Sequence, residues 1–124
     1  MKNRLFLLLP LLLGVAPTVP ALAQAVTKPA VAAASPDPLQ PVQVLDASCG
    51  QCRLGLPGQS CDLAVRLNGQ AYFVDGTHID GHGDAHAEDG FCQKIRQAQV
   101  QGEVVNGRFV ATYFRLMPDA AKGR

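Results

Sequence analysis

Apolar and polar positions alternate in short runs through the second half of the chain, and such runs predict strands. Val42-Gln43-Val44-Leu45 alternates weakly and reads as a first strand. Leu63 to Leu67 and Gln70 to Val74 are two further runs, separated only by Asn68-Gly69. The same device recurs where Val100 to Val105 and Arg108 to Leu116 flank Asn106-Gly107. Asn-Gly is a strong hairpin signal because a type I′ turn needs positive φ at both central residues. The period changes once, in the long segment between the two hairpins. Phe91, Cys92, Ile95 and Ala98 fall at i, i+1, i+4 and i+7, the spacing of one helix face. Asp89 is placed to cap that helix, and Lys94 and Arg96 lie toward its negative end.

The predicted order is strand, strand, strand, helix, strand, strand. The expected fold class is therefore α+β: a small five-stranded OB-like barrel or sheet with one helix between strands 3 and 4. The loop between the first two strands holds Cys49, Gly50, Cys52, Gly55, Pro57, Gly58 and Cys61, a composition that excludes a long helix there.

The N-terminus has a different pattern. Lys2 and Arg4 precede an apolar run from Leu5 to Val15, then Pro17, Pro20 and the small-residue triplet Ala21-Leu22-Ala23. These are the parts of a cleavable secretory signal peptide, expected to be cut after Ala23. The run is short of the about 20 apolar residues of a spanning helix, so no membrane anchor is expected after cleavage. The expected organisation is signal peptide 1–23, an Ala/Pro-rich tether 24–41, one folded domain 42–118 and a flexible tail 119–124. The expected location is the periplasm or the extracellular space.

Export changes two other features. It removes Lys2 and Arg4 from eleven basic residues, leaving nine against ten acidic ones. A mature charge of −1 is no footprint for nucleic acid. Export also puts the four cysteines in an oxidising compartment, where a small core commonly depends on disulfides. Cys49, Cys52, Cys61 and Cys92 are all disulfide candidates, and four cysteines allow three pairings. A Cys61–Cys92 bond would close a loop of about 31 residues, worth roughly 3.7 kcal/mol by chain entropy.

Two constellations offer chemistry instead. Cys49-Gly50-Gln51-Cys52 is a C-x2-C pair that can present two thiolates to one tetrahedral ion. The further spacing, to Cys61 and then Cys92, matches no standard zinc-finger pattern. The other constellation is Asp75 to Gly90, which holds all three histidines, His78, His82 and His86, among Asp75, Asp80, Asp84, Glu88 and Asp89. Imidazoles bind transition metals, and neighbouring carboxylates ligate or orient them. The expected ligands are His82, His86 and Asp84, with His78 a weaker candidate and Cys49 and Cys52 the alternative set. Zinc or copper is the expected ion. A calcium EF-hand loop counted from Asp80 fails, with Ala85 where glycine is required and Phe91 where glutamate is required.

Ala47-Ser48-Cys49-Gly50-Gln51-Cys52, Gly58 to Val65, Gly76 to Phe91-Cys92 and Val100 to Val104 with Gly107-Arg108-Phe109 together resemble a family of small exported bacterial proteins of unknown function. The likeness covers Ala47 to Leu116, and its most specific block is His82-Gly83-Asp84-Ala85-His86-Ala87-Glu88-Asp89-Gly90-Phe91-Cys92. It implies one exported domain and no activity.

The functional expectation is a non-enzymatic binding domain for a divalent transition metal. The alternative is a disulfide-stapled structural or interaction module facing an envelope protein, with no metal. A third class, a thiol–disulfide or cysteine-nucleophile enzyme, lacks its activating context: loop sequence, not a helix, follows Cys52.

Overall fold

The structure is a computed structural model that describes Gly14, Ala32, Ala33 and residues 35–119. The expected signal peptide, the start of the tether and nearly all of the tail lie outside the described residues, save Gly14 and Asp119. Five strands and one short helix follow in chain order: β1 (Gln43–Cys49), α1 (Gly50–Arg53), β2 (Leu63–Leu67), β3 (Gln70–Asp75), β4 (Arg96–Val105) and β5 (Arg108–Leu116). The strands close into a mixed barrel in the order β1-β2-β3-β5-β4. Most pairs are antiparallel; β3 and β5 run parallel through Val74↔Phe109 and Asp75↔Val110. The β1–β4 pairing, Gln43↔Val100 to Ala47↔Arg96, closes the ring.

Both Asn-Gly pairs form their hairpins, with φ of 51° and 82° at Asn68-Gly69 and 52° and 76° at Asn106-Gly107. Alternation then sorts side chains between lumen and surface. Ala47 and Cys49 of β1, Leu63 and Val65 of β2, and Ala98 and Val100 of β4 point inward and are buried. In β5 the phase changes, from Phe109 and Ala111 to Phe114 and Leu116. The cause is a β-bulge: Gln101 pairs with Tyr113 and Gly102 with Ala111, so Thr112 is passed over.

Gln101 and Tyr113 point out of the barrel, yet are only 1% and 5% exposed. The preceding chain lies over them. Ala33 bridges to Tyr113, and the Ala32 and Ala33 N–H groups donate to Gly76 O and Thr112 O. The Gln101 side chain accepts from Asp37 N–H (2.7 Å) and donates to Asp37 O and Gln40 O (both 2.8 Å).

The helix expected between the third and fourth strands does not form. The one helix described is α1, between β1 and β2. A helix-like turn does start where predicted, with Lys94 N–H donating to Gly90 O at 3.0 Å. It ends at once because Arg96 enters β4 and pairs with Ala47. The apparent helical face has separate destinations. Phe91 (2% exposed) plugs the barrel, Cys92 packs at its edge, Ala98 belongs to β4, and Ile95 is 44% exposed. Residues 76–95 instead make successive turns that drive Ile79, Ala85 and Phe91 into one end of the core.

Gly90 makes the last of these turns possible, since a Cβ there would overlap Ala85 O and Asp84 O. Gly90→Ala is expected to destabilise the domain by about 1–3 kcal/mol, the range for overpacking. A urea unfolding curve showing an unchanged midpoint would contradict this account of the turn.

Candidate metal centre

Cys49, Cys52, Cys61 and Cys92 come together at the plugged end of the barrel, with their sulfurs all within 4.8 Å of one another. A tetrahedral zinc with Zn–S bonds of about 2.3 Å would have sulfurs roughly 3.8 Å apart. Each cysteine arrives on a different part of the fold. Cys49 ends β1 and is fully buried, Cys52 sits on α1 and is exposed, and Cys61 and Cys92 precede β2 and β4 and are half-buried. All four are free cysteines.

The local sequence explains the convergence. β1 and β2 are antiparallel with Cys49 opposite Leu63, so the end of β1 lies beside the residues preceding β2. Gly50 lets the chain turn tightly onto the barrel, because a Cβ there would meet Phe73 and Ala64. Cys49 then caps α1, its sulfur accepting the Cys52 N–H at 3.4 Å. On the opposite side, Cys49 N–H donates to Phe91 O (3.1 Å) and Ser48 Oγ donates to the same carbonyl (2.6 Å). These bonds seat Cys92 next to Cys61, with their sulfurs 2.9 Å apart.

The cluster shares its protons unevenly. Burial would raise the Cys49 thiol, but hydrogen bonds from the Cys61 and Cys52 side chains and from the Cys52 and Gln51 backbone outweigh it and lower the pKa. Cys52 is pushed up to about 11, chiefly by its hydrogen bond to Cys49. Burial and bonding to Cys92 raise Cys61 well above an ordinary thiol. Four sulfurs from three segments thus meet, with the Cys49 thiol the one whose pKa its neighbours lower.

The surrounding polar side chains belong mainly to α1. Gln51 Nε2 donates to Asp62 Oδ2 (2.7 Å) and Ser60 Oγ (3.2 Å), and Gln51 Oε1 accepts Asp62 N–H (3.0 Å). Ser60 and Gln51, as donors, hold the Asp62 carboxyl below its usual range. Arg53 Nε donates to Cys92 O (3.1 Å). The sequence offered no signal for these roles, since both residues read as ordinary loop positions. An open groove of about 840 Å³ begins at Cys61 and runs past Asp62, Asp75, His78, Asp80 and Arg108. Arg108 Nε lies 3.0 and 2.9 Å from the two oxygens of Asp75.

The histidines do not gather in the same way. His82 is half-buried, with its ring centroid 4.6 Å from that of Phe114 and 6.2 Å from that of Phe91. Its Nε2 is 2.9 Å from Thr77 Oγ1. His86 is exposed, with Nδ1 4.0 Å from Asp84 Oδ1, and Asp84 is occupied in accepting His86 N–H. His78 lines the groove. Among the described residues, the four cysteines form the one group of three or more convergent metal donors.

The protein is thus a small closed barrel with a four-cysteine cluster at one end. The chain belongs to a family of unknown function, DUF6370, matched over residues 43–117, which is all of the barrel. Neither a curated protein nor a solved structure matches it. Among the described residues no helix is long and apolar enough to cross a membrane.

Burial lowers the His82 pKa below its ordinary value of 6.5. A base with a lowered folded pKa gives stability that is intact above the unfolded pKa. That stability is lost as pH falls through the folded one. The native protein is therefore expected to lose stability relative to His82→Phe between pH 7.5 and 5. The slope cannot exceed about 1.4 kcal/mol per pH unit for one group. Parallel urea midpoints for the two proteins across this range would exclude the effect.

Proposed function

We propose that this chain is an exported, non-enzymatic metal-binding domain whose four cysteines hold one tetrahedral divalent ion of the zinc class. The observation that carries the proposal is the convergence of four sulfurs within 4.8 Å. A thiolate-only donor set selects zinc or a comparably soft ion over magnesium or calcium. Cys49 and Cys52, the alternative ligands in the sequence, take the place of His82 and His86, and Cys61 and Cys92 complete the set. The Cys52 N–H bond to the Cys49 sulfur supports the same assignment, because it stabilises a ligating thiolate.

The ion would fasten three segments: the β1–α1 corner, the residues preceding β2 and the residues preceding β4. That gives a small barrel a staple without disulfides. The strand order, with β3 parallel to β5, supports an OB-like assignment. The expected mature charge argues against nucleic acid as its ligand. Export rests on the N-terminal pattern, and there the ion would also protect the thiols from oxidation.

A second reading is favoured by one distance. The Cys61 and Cys92 sulfurs, at 2.9 Å, lie closer than the edge of a zinc–thiolate tetrahedron. Removal of the ion in an oxidising compartment would leave them as the pair to join, giving the disulfide-stapled module.

Purification of the mature protein from its native compartment, without reductant or chelator, distinguishes the two. The metal assignment predicts one zinc-class ion per chain and four alkylatable thiols after denaturation in chelator. Cys49→Ser should weaken cobalt(II) binding by more than the about 10–100-fold typical of an outer-shell change. His82→Ala and His86→Ala together should leave its stoichiometry unchanged. Two disulfides in the intact mass, with no cobalt uptake after reduction, would overturn the metal assignment.

A further inference from the structure

Three of the four cysteines are fixed by the backbone. Cys49 ends a paired strand, and Cys52 follows within the same tight turn. Cys92 is anchored through the peptide that precedes it, with Phe91 buried in the barrel, the Phe91 carbonyl bonded twice to β1 and the Cys92 N–H donating to Ala85 O at 2.8 Å. Cys61 differs. It ends a loop whose residues 57–60 are exposed, and the backbone holds it only on its far side, where Gly50 N–H donates to Asp62 O (2.8 Å) and Leu63 begins β2.

Apart from the Cys61 thiol's own bond to Cys49, the side-chain bonds between residues 60–62 and the C-x2-C turn all run to one residue, Gln51. Its amide uses both ends at once. The nitrogen donates to Ser60 Oγ and Asp62 Oδ2, and the oxygen accepts Asp62 N–H and the Cys49 thiol, whose sulfur lies 3.7 Å away. Ser60 Oγ also donates to Asp62 Oδ2 at 2.7 Å, so the residues on either side of Cys61 are tied to each other and to Gln51. Gln51 itself lies between Cys49 and Cys52.

We propose that Gln51 is the positioning residue of the metal centre: its side-chain amide clamps Ser60 and Asp62 on either side of Cys61 and so delivers the Cys61 sulfur to the other three. This rests on the metal assignment above. The primary amide is the chemistry the clamp needs. Asp62 presents a donor in its backbone and an acceptor in its carboxylate, and only a group with both can answer both.

Residue-resolved alkylation with N-ethylmaleimide, read by peptide mass on the full mature protein, tests this with and without zinc. In zinc-loaded Gln51→Ala, Cys61 should react at least about tenfold faster than in the native protein, while Cys92, which Gln51 does not touch, keeps its native rate. Cobalt(II) affinity should fall by about 10–100-fold, the usual effect of removing an outer-shell partner. The cobalt thiolate charge-transfer band should lose one sulfur's share of intensity.

Gln51→Glu should behave like Gln51→Ala, because the new carboxylate faces that of Asp62. Adding Asp62→Asn restores a donor–acceptor pair and should return the Cys61 rate to within about twofold of native. Arg53→Ala, which removes only an exposed bond to Cys92 O, should leave Cys61 protected. Equal acceleration of all four cysteines, an unchanged Cys61 rate, or no recovery in the double variant would overturn the clamp. If the native protein takes up no zinc, the metal assignment fails on its own. The clamp is then judged on the reduced, metal-free proteins, where equal Cys61 rates in native and Gln51→Ala overturn it.

Discussion

The carbonyl of Phe91 accepts two hydrogen bonds from the end of β1, one from Cys49 N–H and one from Ser48 Oγ. The arrangement at this end of the barrel follows from them. They draw residues 76–95 across the opening, so that Phe91 fills the lumen where an open end would expose the core. They bury the Ser48 hydroxyl at no cost, because it is satisfied where it lies. They also place the next residue, Cys92, against a cysteine 31 positions earlier in the chain. The turn that starts at Gly90 cannot extend into a helix while Phe91 faces inward and Arg96 pairs with Ala47.

This arrangement gives the cysteine cluster its asymmetry. Cys49 is part of the core, and Cys52 is at the surface one short turn later. The protein thus brings one sulfur from its interior, two from its edge and one from solvent to a single point. Free thiols so close together would be expected to oxidise wherever the surroundings are oxidising. A bound soft ion is one chemical answer to that pressure and a disulfide is the other. Both act on the same four atoms.

The β4–β5 face shows how a barrel of this size enlarges its core. The bulge at Thr112 lets β5 contribute Phe109 and Ala111 in one phase and Phe114 and Leu116 in the other. Tyr113 and Gln101 would then be left outward, but the chain preceding β1 covers them. Gln101 spends its amide on the backbone of Asp37 and Gln40. The Ala/Pro-rich stretch contributes to burial although it has little apolar periodicity of its own.

What the sequence determined by itself was local. The two Asn-Gly turns fixed both hairpins, because positive φ at successive residues is a property of those residues and needs no partner. Strand alternation placed β2 and β5 at their observed bounds and came within one residue at the end of β3. Glycine and proline kept the loop after α1 irregular. What only the tertiary structure decided was non-local. Phe91, Cys92, Ile95 and Ala98 have a helical spacing, but closing the barrel through β1 and β4 outweighs one turn of helix. The C-x2-C pair was visible as a candidate, whereas its union with Cys61 and Cys92 was not. That union depends on strand pairing and on the Phe91 carbonyl, neither of which leaves a mark in cysteine spacing. The histidine block looked like a ligand set because its donors are close in sequence. In the fold, His82 packs between aromatic rings and His86 faces solvent, since turns spread neighbouring side chains as readily as they gather them.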